Sequence, residues 1–198
     1  MSENRGARRP RADAVRNRQL IVEAAADAFR ELGLEAGVAE IARRAGVGSG
    51  TLFRNFPSKD ELILAVIETR MQEWSEQAQQ TLDEPDAGKA FEQFLFAAAE
   101  GQRSDRGLGE AIKRRIIDRP ELSERKQQAV ELSQRILQRA QAAGAVRTDV
   151  DTDDLRFLID AVVAASPPPG AAGDDLFRRH LLIMLDGLRP NVARPLAR

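Results

Sequence analysis

Apolar residues recur along this chain at intervals of three and four positions, and runs that alternate apolar and polar residues are missing. The first spacing is typical of amphipathic helices, whereas a half-buried strand would alternate at every second residue. We therefore predict an all-α protein of about nine helices. They are expected at residues 13–32, 38–45, 49–55, 59–82, 87–102, 106–118, 120–143, 152–165 and 174–188.

Residues that start and end helices set these boundaries. Glycines at positions 33, 46 and 144 follow the last apolar residue of a periodic run, which is a common C-terminal signal. Ser58, with Glu61 three positions later, forms a capping box in front of a long helical run. The segment SPPPGAAG then predicts a stiff loop between the last two helices.

The composition excludes several kinds of site. None of the 198 residues is cysteine and only His180 is histidine, so disulfides, thiolate metal sites and histidine-based zinc clusters are ruled out, and we predict no metal or cofactor. No apolar stretch approaches the roughly 18–20 residues that cross a bilayer, and the arginine-rich N-terminus lacks the apolar segment of a secretory signal. We expect a cytoplasmic protein without membrane contact.

The net charge of −1 averages over two unlike parts. Residues 1–62 carry 11 Lys/Arg and 9 Asp/Glu, whereas residues 63–198 carry 19 and 22. A local basic segment at the N-terminus fits contact with phosphates, but it also fits a solubilising disordered tail. Its arginines are Arg5, Arg8, Arg9, Arg11, Arg16 and Arg18.

The segment VAEIARRAGVGSGTLFRNFPSKDEL, residues 38–62, contains two short helices joined by a glycine-containing turn. Four of its apolar residues are expected in the core: Ile41, Ala42, Leu52 and Phe56. The remaining positions of the second helix are small or polar, which a helix in the major groove requires, because bulky apolar groups would hold its backbone away from the bases. A structural helix pair with a solvated outer face has the same spacing, so the pattern alone leaves both interpretations open.

The stretch IARRAGVGSGTLFRNFPSKDELILAV closely resembles the signature of the tetracycline-repressor (TetR) family, I-A-x-x-A-G-V-x-x-G-T-L-Y-x-x-F-x-x-K-x-x-L. The preceding segment RQLIVEAAADAFRELG resembles the family's first helix, so the similarity covers residues 16–66. This resemblance implies a helix-turn-helix that binds double-stranded DNA. The matching positions are Ile41, Ala42, Ala45, Gly46, Val47, Gly50, Thr51, Leu52, Phe56, Lys59 and Leu62.

The resemblance also implies which side chains meet the DNA. Thr51 and Phe53 would lie on the sugar-phosphate backbone and Lys59 on a phosphate. Ser49, Gly50 and Asn55 would lie at the groove. Arg54 is as compatible with solvent as with DNA. The complete predicted contact set is Ser49, Gly50, Thr51, Phe53, Arg54, Asn55 and Lys59.

Three positions depart from the family pattern. Phe53 replaces a tyrosine, Gly37 replaces the threonine or serine that caps the preceding helix, and Gly48 replaces a serine cap. Each missing hydroxyl is expected to cost on the order of 1 kcal/mol. Arg43 and Arg44 lie on the outer side of the first short helix, where phosphate contact and simple solvation are both open.

The last two predicted helices carry wide apolar faces, which fit either a dimer interface or an intramolecular core. In the TetR family these helices form a homodimer, and the C-terminal segment is similar to the SbtR-like subgroup, so we expect dimerisation here. The residues concerned are Leu155, Leu158, Ile159, Val162, Val163, Phe177, Leu181, Met184, Leu185 and Leu188.

Large apolar groups between the fourth helix and this face, Phe157 among them, either line a ligand cavity or fill a plain core. The predicted pocket consists of Met71, Trp74, Phe94, Ile112 and Ile116. His180 is expected to be packed or on the surface and not to contact the ligand. The effector would be a small molecule.

The predicted organisation is a disordered basic arm (1–12), a helix-turn-helix head (13–60), a regulatory and dimerising helical body (61–189) and a flexible tail (190–198). We predict a ligand-responsive transcriptional repressor that binds a palindromic operator as a homodimer. The alternative is a helical adaptor that no longer binds DNA. An enzyme is not expected, because GVGSG lacks the preceding strand and the following lysine of a phosphate-binding loop, and no cysteine nucleophile exists.

Overall fold

The computed structural model describes residues 8–104, 119–167 and 170–190, and within these ranges it contains eight α-helices and no strand. The all-α prediction is confirmed; the helix predicted at 106–118 lies outside the described residues. Short 3-10 turns at Gly33–Glu35 and Pro120–Leu122 precede α2 and α6. The helices are α1 (Arg8–Leu32), α2 (Val38–Arg44), α3 (Ser49–Asn55), α4 (Lys59–Thr81), α5 (Ala87–Ser104), α6 (Ser123–Ala142), α7 (Thr152–Ala165) and α8 (Ala171–Gly187).

Helix α1 begins at Arg8, before the predicted start at Asp13. Residues 8–12, which we expected in a disordered arm, are therefore helical; residues 1–7 lie outside the described part of the chain. Pro10 is compatible with this start. The N–H groups of a first helical turn have no partner within the helix, so proline, which has no N–H, removes no helical hydrogen bond there.

The buried side of α1 is centred on Ile21, Ala25 and Phe29, which are fully buried. Leu20 and Leu32, although apolar and on the same helix, are exposed. Successive residues of a helix are about 100° apart, so the orientation that buries Ile21 turns Leu20 toward solvent.

Several helix ends follow the predicted local signals. Helices α3 and α7 span the predicted residues. Gly33 and Gly46 have φ angles of 68° and 66°, in the left-handed region that ends helices and favours glycine. The Ser58 hydroxyl accepts a hydrogen bond from the backbone N–H of Glu61 at 3.2 Å, as a capping box requires.

The described chain divides into two compact units, of which the first comprises residues 8–70. We expected the border between positions 60 and 61. The first turns of α4 belong to the first unit instead, and Leu62 and Ile63 are buried there. The head therefore contains α1, α2, α3 and the first half of α4.

The second unit has a core built from α5, α6, α7 and α8. Most residues that we expected on the dimer face belong to this core, which corrects that assignment. Each of these helices buries one apolar stripe in its own chain before any partner is considered. The buried residues among those predicted are Leu155, Ile159, Val163, Phe177, Leu181, Met184 and Leu188.

A second apolar stripe on α7 and α8 remains exposed. Phe157, which we expected inside the protein, is 73% exposed, and Ile183 on α8 is 59% exposed. Leu158 is also exposed, and Val162 is partly buried. The position of Phe157, two residues before the buried Ile159, explains the error, because residues two apart lie on nearly opposite sides of a helix.

A buried arginine joins α5 to α8. The Arg103 guanidinium lies 2.8 Å from the Asp174 carboxylate and 4.5 Å from the centre of the Phe177 ring. The backbone N–H of Gly170, together with Arg103, lowers the pKa of Asp174, because both favour the charged carboxylate. The ion pair therefore holds the first turn of α8 against the end of α5.

Arg139 of α6 holds the segment that follows α4. Its guanidinium donates hydrogen bonds to the carbonyl oxygens of Leu82 at 3.0 Å and Pro85 at 2.9 Å, and to that of Glu84. These carbonyls belong to the segment that joins α4 to α5, just beyond the negative end of the α4 dipole, so the guanidinium gives them charge-assisted donors that no helix supplies.

We predict that Arg139→Ala lowers the free energy of unfolding by about 2 kcal/mol, because several charge-assisted hydrogen bonds are lost together. Urea denaturation followed by circular dichroism measures this. Arg135→Ala is the control, since Arg135 is exposed on the same helix. Equal effects of the two substitutions would show that the Arg139 hydrogen bonds to the segment after α4 do not stabilise the protein.

Candidate DNA-binding surface

The turn between α2 and α3 is held by backbone hydrogen bonds. The N–H of Val47 donates to the carbonyl of Ala42 at 3.0 Å, and the N–H of Gly46 donates to that of Arg43 at 3.2 Å. Ile41 on α2 is fully buried. The two helices are therefore fixed against each other by short-range bonds and by a common core.

Helix α3 has one buried side and one outward side. Leu52 is buried within the helix, and Phe56 is buried just after it. Seen along the helix, Gly50 and Arg54 point away from that core, because they lie about half a turn from its centre. The outward residues are Ser49, Gly50, Phe53 and Arg54, with Thr51 and Asn55 half-buried at the edge.

Two polar side chains of this surface form hydrogen bonds with the backbone of their own helix. Arg54 Nε donates to the carbonyl of Gly50 at 3.1 Å, and Asn55 Nδ2 donates to that of Thr51 at 2.8 Å. Phe53 is 51% exposed. The surface that we predicted to contact bases therefore has a glycine, Gly50, at its centre. Its polar side chains Arg54 and Asn55 are held along the helix by these hydrogen bonds.

The end of α3 is also held by α1. The Arg18 guanidinium lies 4.4 Å from the centre of the Phe56 ring, a cation–π distance. Arg18 was predicted only as part of a basic arm; its contact with an aromatic residue 38 positions away leaves no local signal in the sequence.

Neither short helix of the motif has a side-chain cap. The N-cap residues Gly37 and Gly48 form no side-chain hydrogen bond, as the sequence predicted. Their φ and ψ angles, −73° and 144° for Gly37 and −73° and 150° for Gly48, are accessible to any residue, and a Cβ at either position meets open space.

We therefore expect Gly48→Ser to raise the free energy of unfolding by about 0.5–1 kcal/mol, because serine caps the helix and restricts the unfolded chain. Thermal denaturation measures this change. Gly48→Ala is the matched control, since it supplies the Cβ without the hydroxyl. If alanine stabilises the protein as much as serine does, capping is not the cause.

Lys59 is the first residue of α4, which follows α3 in the sequence, and it is half-buried. Asp60 and Glu61 follow it in the same turn, so this helix end combines the partial positive charge of the dipole with two carboxylates. Contact of Lys59 with a phosphate stays a prediction.

Arg43 and Arg44 form a network of ion pairs with acidic residues of the head. Arg43 Nε and Nη2 donate to the Glu40 carboxylate at 2.8 and 2.7 Å, and Arg44 Nε donates to it at 2.8 Å. Arg44 Nη1 lies 2.9 Å from a carboxylate oxygen of Glu31 on α1. Sequence reasoning missed this network, although a glutamate three and four positions before two arginines is its usual signal.

The pKa of Glu40 is lowered to about 2, first by its hydrogen bond with Arg43 and then by that with Arg44. The same contacts, with Glu31 first for Arg44, raise the pKa of both arginines. Glu40 and both arginines are therefore charged at neutral pH.

The predicted effector pocket is described in part. Trp74 and Phe94 meet edge to face with ring centres 6.0 Å apart, and Phe94 is buried. Met71 is half-buried, whereas Ile112 and Ile116 lie outside the described residues. None of the three described residues of the predicted pocket lines the groove of about 770 Å³ between α4 and α5. Its lining residues are Gln77, Gln80, Thr81, Gln93, Phe96, Ala97, Glu100, Gly101 and Ser104.

A second groove, of about 790 Å³, runs between α7 and α8. It is mainly apolar and is lined from α7 by Phe157, Leu158 and Val162 and from α8 by Ile183 and Met184. His180, which we expected to be packed or on the surface, is half-buried at this groove. Over the part of the chain that is described, no group of acidic or histidine residues is arranged to hold a metal, and no helix is apolar and long enough to span a membrane.

Two family models match the chain. The model described as bacterial regulatory proteins, tetR family, matches residues 21–66, which include the motif above. The model described as transcriptional regulator SbtR-like, C-terminal domain, matches residues 86–190.

Known proteins and structures agree with these matches. The HTH-type transcriptional repressor KstR2 of Rhodococcus jostii is 27% identical over 181 residues, which are 85% of this chain and 89% of that protein. The HTH-type transcriptional regulator SAB2452 of Staphylococcus aureus is 39% identical over 75 residues, 37% of this chain and 40% of that protein. A TetR transcription regulatory protein from Mycobacterium vanbaalenii has a TM-score of 0.70 at 33% identity, over 90% of this chain and 98% of that one. The regulator SCO0520 from Streptomyces coelicolor has a TM-score of 0.71 at 28% identity, over 88% and 99%.

Proposed function

Because the chain belongs to the TetR family of DNA-binding bacterial transcriptional regulators, we propose that it is a ligand-responsive repressor that binds a palindromic operator as a homodimer. Repression is favoured over activation by the similarity to KstR2, a repressor, over most of both chains. The proposed place of action is the cytoplasm, where a bacterium keeps its DNA.

The outward side of α3 carries the DNA-binding part of this proposal. Gly50 at its centre allows the helix backbone to come close to base edges in the major groove. Ser49 and Asn55 would contact bases, whereas Thr51 and Phe53 would lie on the sugar-phosphate backbone. Lys59 and Arg54 would add positive charge next to phosphates.

The exposed apolar groove between α7 and α8 supports a homodimer. Phe157 and Ile183 are large apolar side chains that a monomer would leave in water, and burial of such surface drives association. A twofold axis through this groove would pair α7 and α8 with their copies in a four-helix arrangement. Such a dimer reads a palindrome when its two recognition helices lie about 34–36 Å apart, or at a larger spacing that matches wider half-sites.

An effector site in the second unit is supported by the open groove of about 770 Å³ between α4 and α5, the helices that also carry Trp74 and Phe94; this volume lies within the range of small-molecule sites. The groove combines the Phe96 ring with the side-chain amides of Gln77 and Gln93. We propose that the effector binds best to dimers whose heads are wrongly spaced for the operator, so that it lowers the affinity for DNA by shifting populations.

Recovery of the genomic DNA fragments that the purified protein retains tests the DNA-binding part. We expect fragments that share a palindromic sequence, to which the protein binds in a mobility-shift assay with strong salt dependence. An adaptor that has lost DNA binding would enrich no fragment and show no salt dependence.

The ligand-responsive part is tested on the same fragments. Fractions of a small-molecule extract from the host are titrated into the protein–operator complex, and at least one is expected to release the DNA. If none does, the claim of ligand response fails while the DNA-binding claim stands.

A further inference from the structure

The charged side of α2 is paired within the protein. One carboxylate, that of Glu40, accepts hydrogen bonds from both Arg43 and Arg44, and Arg44 is also bonded to Glu31. Two acids and two arginines make this cluster neutral, although Arg43 exposes 71% of its side chain. An exposed arginine in a DNA-binding head thus contributes little net charge to its surroundings.

Carboxylates and phosphates compete for the same edge of a guanidinium. The Nε and Nη2 atoms of Arg43 form a fork that binds two oxygens side by side, and Glu40 fills this fork at 2.8 and 2.7 Å. A phosphate at this position would have to displace the carboxylate, and would then lie beside the negative charge of Glu40.

We infer that Glu40 masks Arg43 and thereby lowers the affinity of the head for the phosphate backbone of DNA. The inference rests on the proposed mode of DNA binding, in which α3 enters the groove and α2, as the first helix of the motif, crosses the backbone. Each cation that neutralises a phosphate releases counterions, so masking one arginine removes one such contribution.

This masking has a use in a regulator. Non-specific binding to the rest of a genome competes with operator binding, because a genome offers very many more non-specific sites than operators. A carboxylate that weakens backbone contact leaves a larger share of the protein available for its operator. Since Glu40 stays charged at neutral pH, as described above, the mask is present under all ordinary conditions.

The test measures binding of full-length protein to random-sequence duplex DNA over a range of salt concentrations. Glu40→Gln keeps the size and one hydrogen-bond acceptor but removes the charge. We expect it to bind about five- to tenfold more tightly at 0.1 M salt, with a salt slope steeper by about 0.9, as one added phosphate contact predicts. Glu23→Gln is the matched control, since it removes one acid from an exposed position of α1.

The double variant Glu40→Gln/Arg43→Gln is expected to lose this gain, because the unmasked group is then absent. Equal effects of Glu40→Gln and Glu23→Gln would overturn the inference, since net charge alone would account for them. Weaker binding by Glu40→Gln in a folded protein would also overturn it and would show that the cluster only braces α1 and α2.

Circular dichroism verifies that each variant is folded. If Glu40→Gln does not fold, Glu40→Ala takes its place, because alanine favours a helix at a half-buried position. Failure of the wild-type protein to bind any DNA would refute the proposed function. Wild-type binding with an unchanged Glu40→Gln variant would refute this inference alone.

Discussion

Ile183→Glu is expected to make the protein monomeric and to weaken its binding to a two-site operator by about 100-fold or more, because one half-site no longer increases the effective concentration at the other. Ile183 lies on the exposed apolar groove between α7 and α8, where the proposed twofold axis brings two copies together. Two glutamates would then enter one apolar interface, and burial of unpaired charge is strongly unfavourable. Analytical ultracentrifugation measures the first effect and fluorescence anisotropy with operator DNA the second.

Leu182→Glu is the matched control for this prediction. Leu182 directly precedes Ile183 on α8 and is 41% exposed, but it lines a different pocket, together with Phe91 and Ala145. The monomer accommodates glutamate at either position, since both side chains reach solvent. Dimers from both variants would rule out the groove between α7 and α8 as the interface.

Leu182 and Ile183 are both apolar but lie on different surfaces of α8, which the sequence alone does not predict. A helix with apolar residues on more than half its circumference has two candidate inner sides, and periodicity does not decide which one its own chain buries. On α7, Ile159 faces the core whereas Phe157 faces solvent, although both are large and apolar. Only the positions of the other helices distinguish them, and those are set by tertiary packing.

Two helices with local signals at their ends, α3 and α7, were predicted to the residue. Helix α3 lies between the glycine cap at position 48 and Pro57, and α7 begins after the capping carboxylate of Asp151. These signals act through adjacent backbone groups, so they are readable in the sequence. The arginine contacts differ in kind, because Arg139 reaches carbonyls more than fifty positions away.

Some features of the outward side of α3 were predictable from the sequence and others were not. Its small and polar composition was readable, and so was the burial of Leu52 and Phe56 that turns it outward. The hydrogen bonds of Arg54 and Asn55 with their own helix were not predictable, because a polar side chain has several rotamers of similar energy. The family resemblance supplied the role in DNA binding, which the pattern alone had left open.

Gly50→Leu is expected to weaken operator binding by about 100-fold while leaving the protein at least as stable. A Cβ at Gly50 meets open space, and replacing glycine inside a helix removes a cost of about 0.5–1 kcal/mol, so folding does not suffer. At the DNA, however, the added side chain would separate α3 from the base edges. Loss of one base contact of about 1.4 kcal/mol in each half-site corresponds to about 100-fold weaker binding by the dimer.

Gly101→Leu is the control in titrations without effector, because Gly101 also lies in a helix with open space around its Cβ, but in the second unit, at the proposed effector groove. Anisotropy titrations with operator and with random DNA separate the possible effects. Gly50→Leu should retain salt-dependent binding to random DNA, since phosphate contacts do not require the helix to reach the bases. If both glycine variants bind the operator like the wild type, the outward side of α3 does not face the bases, and another surface of the head must read the sequence.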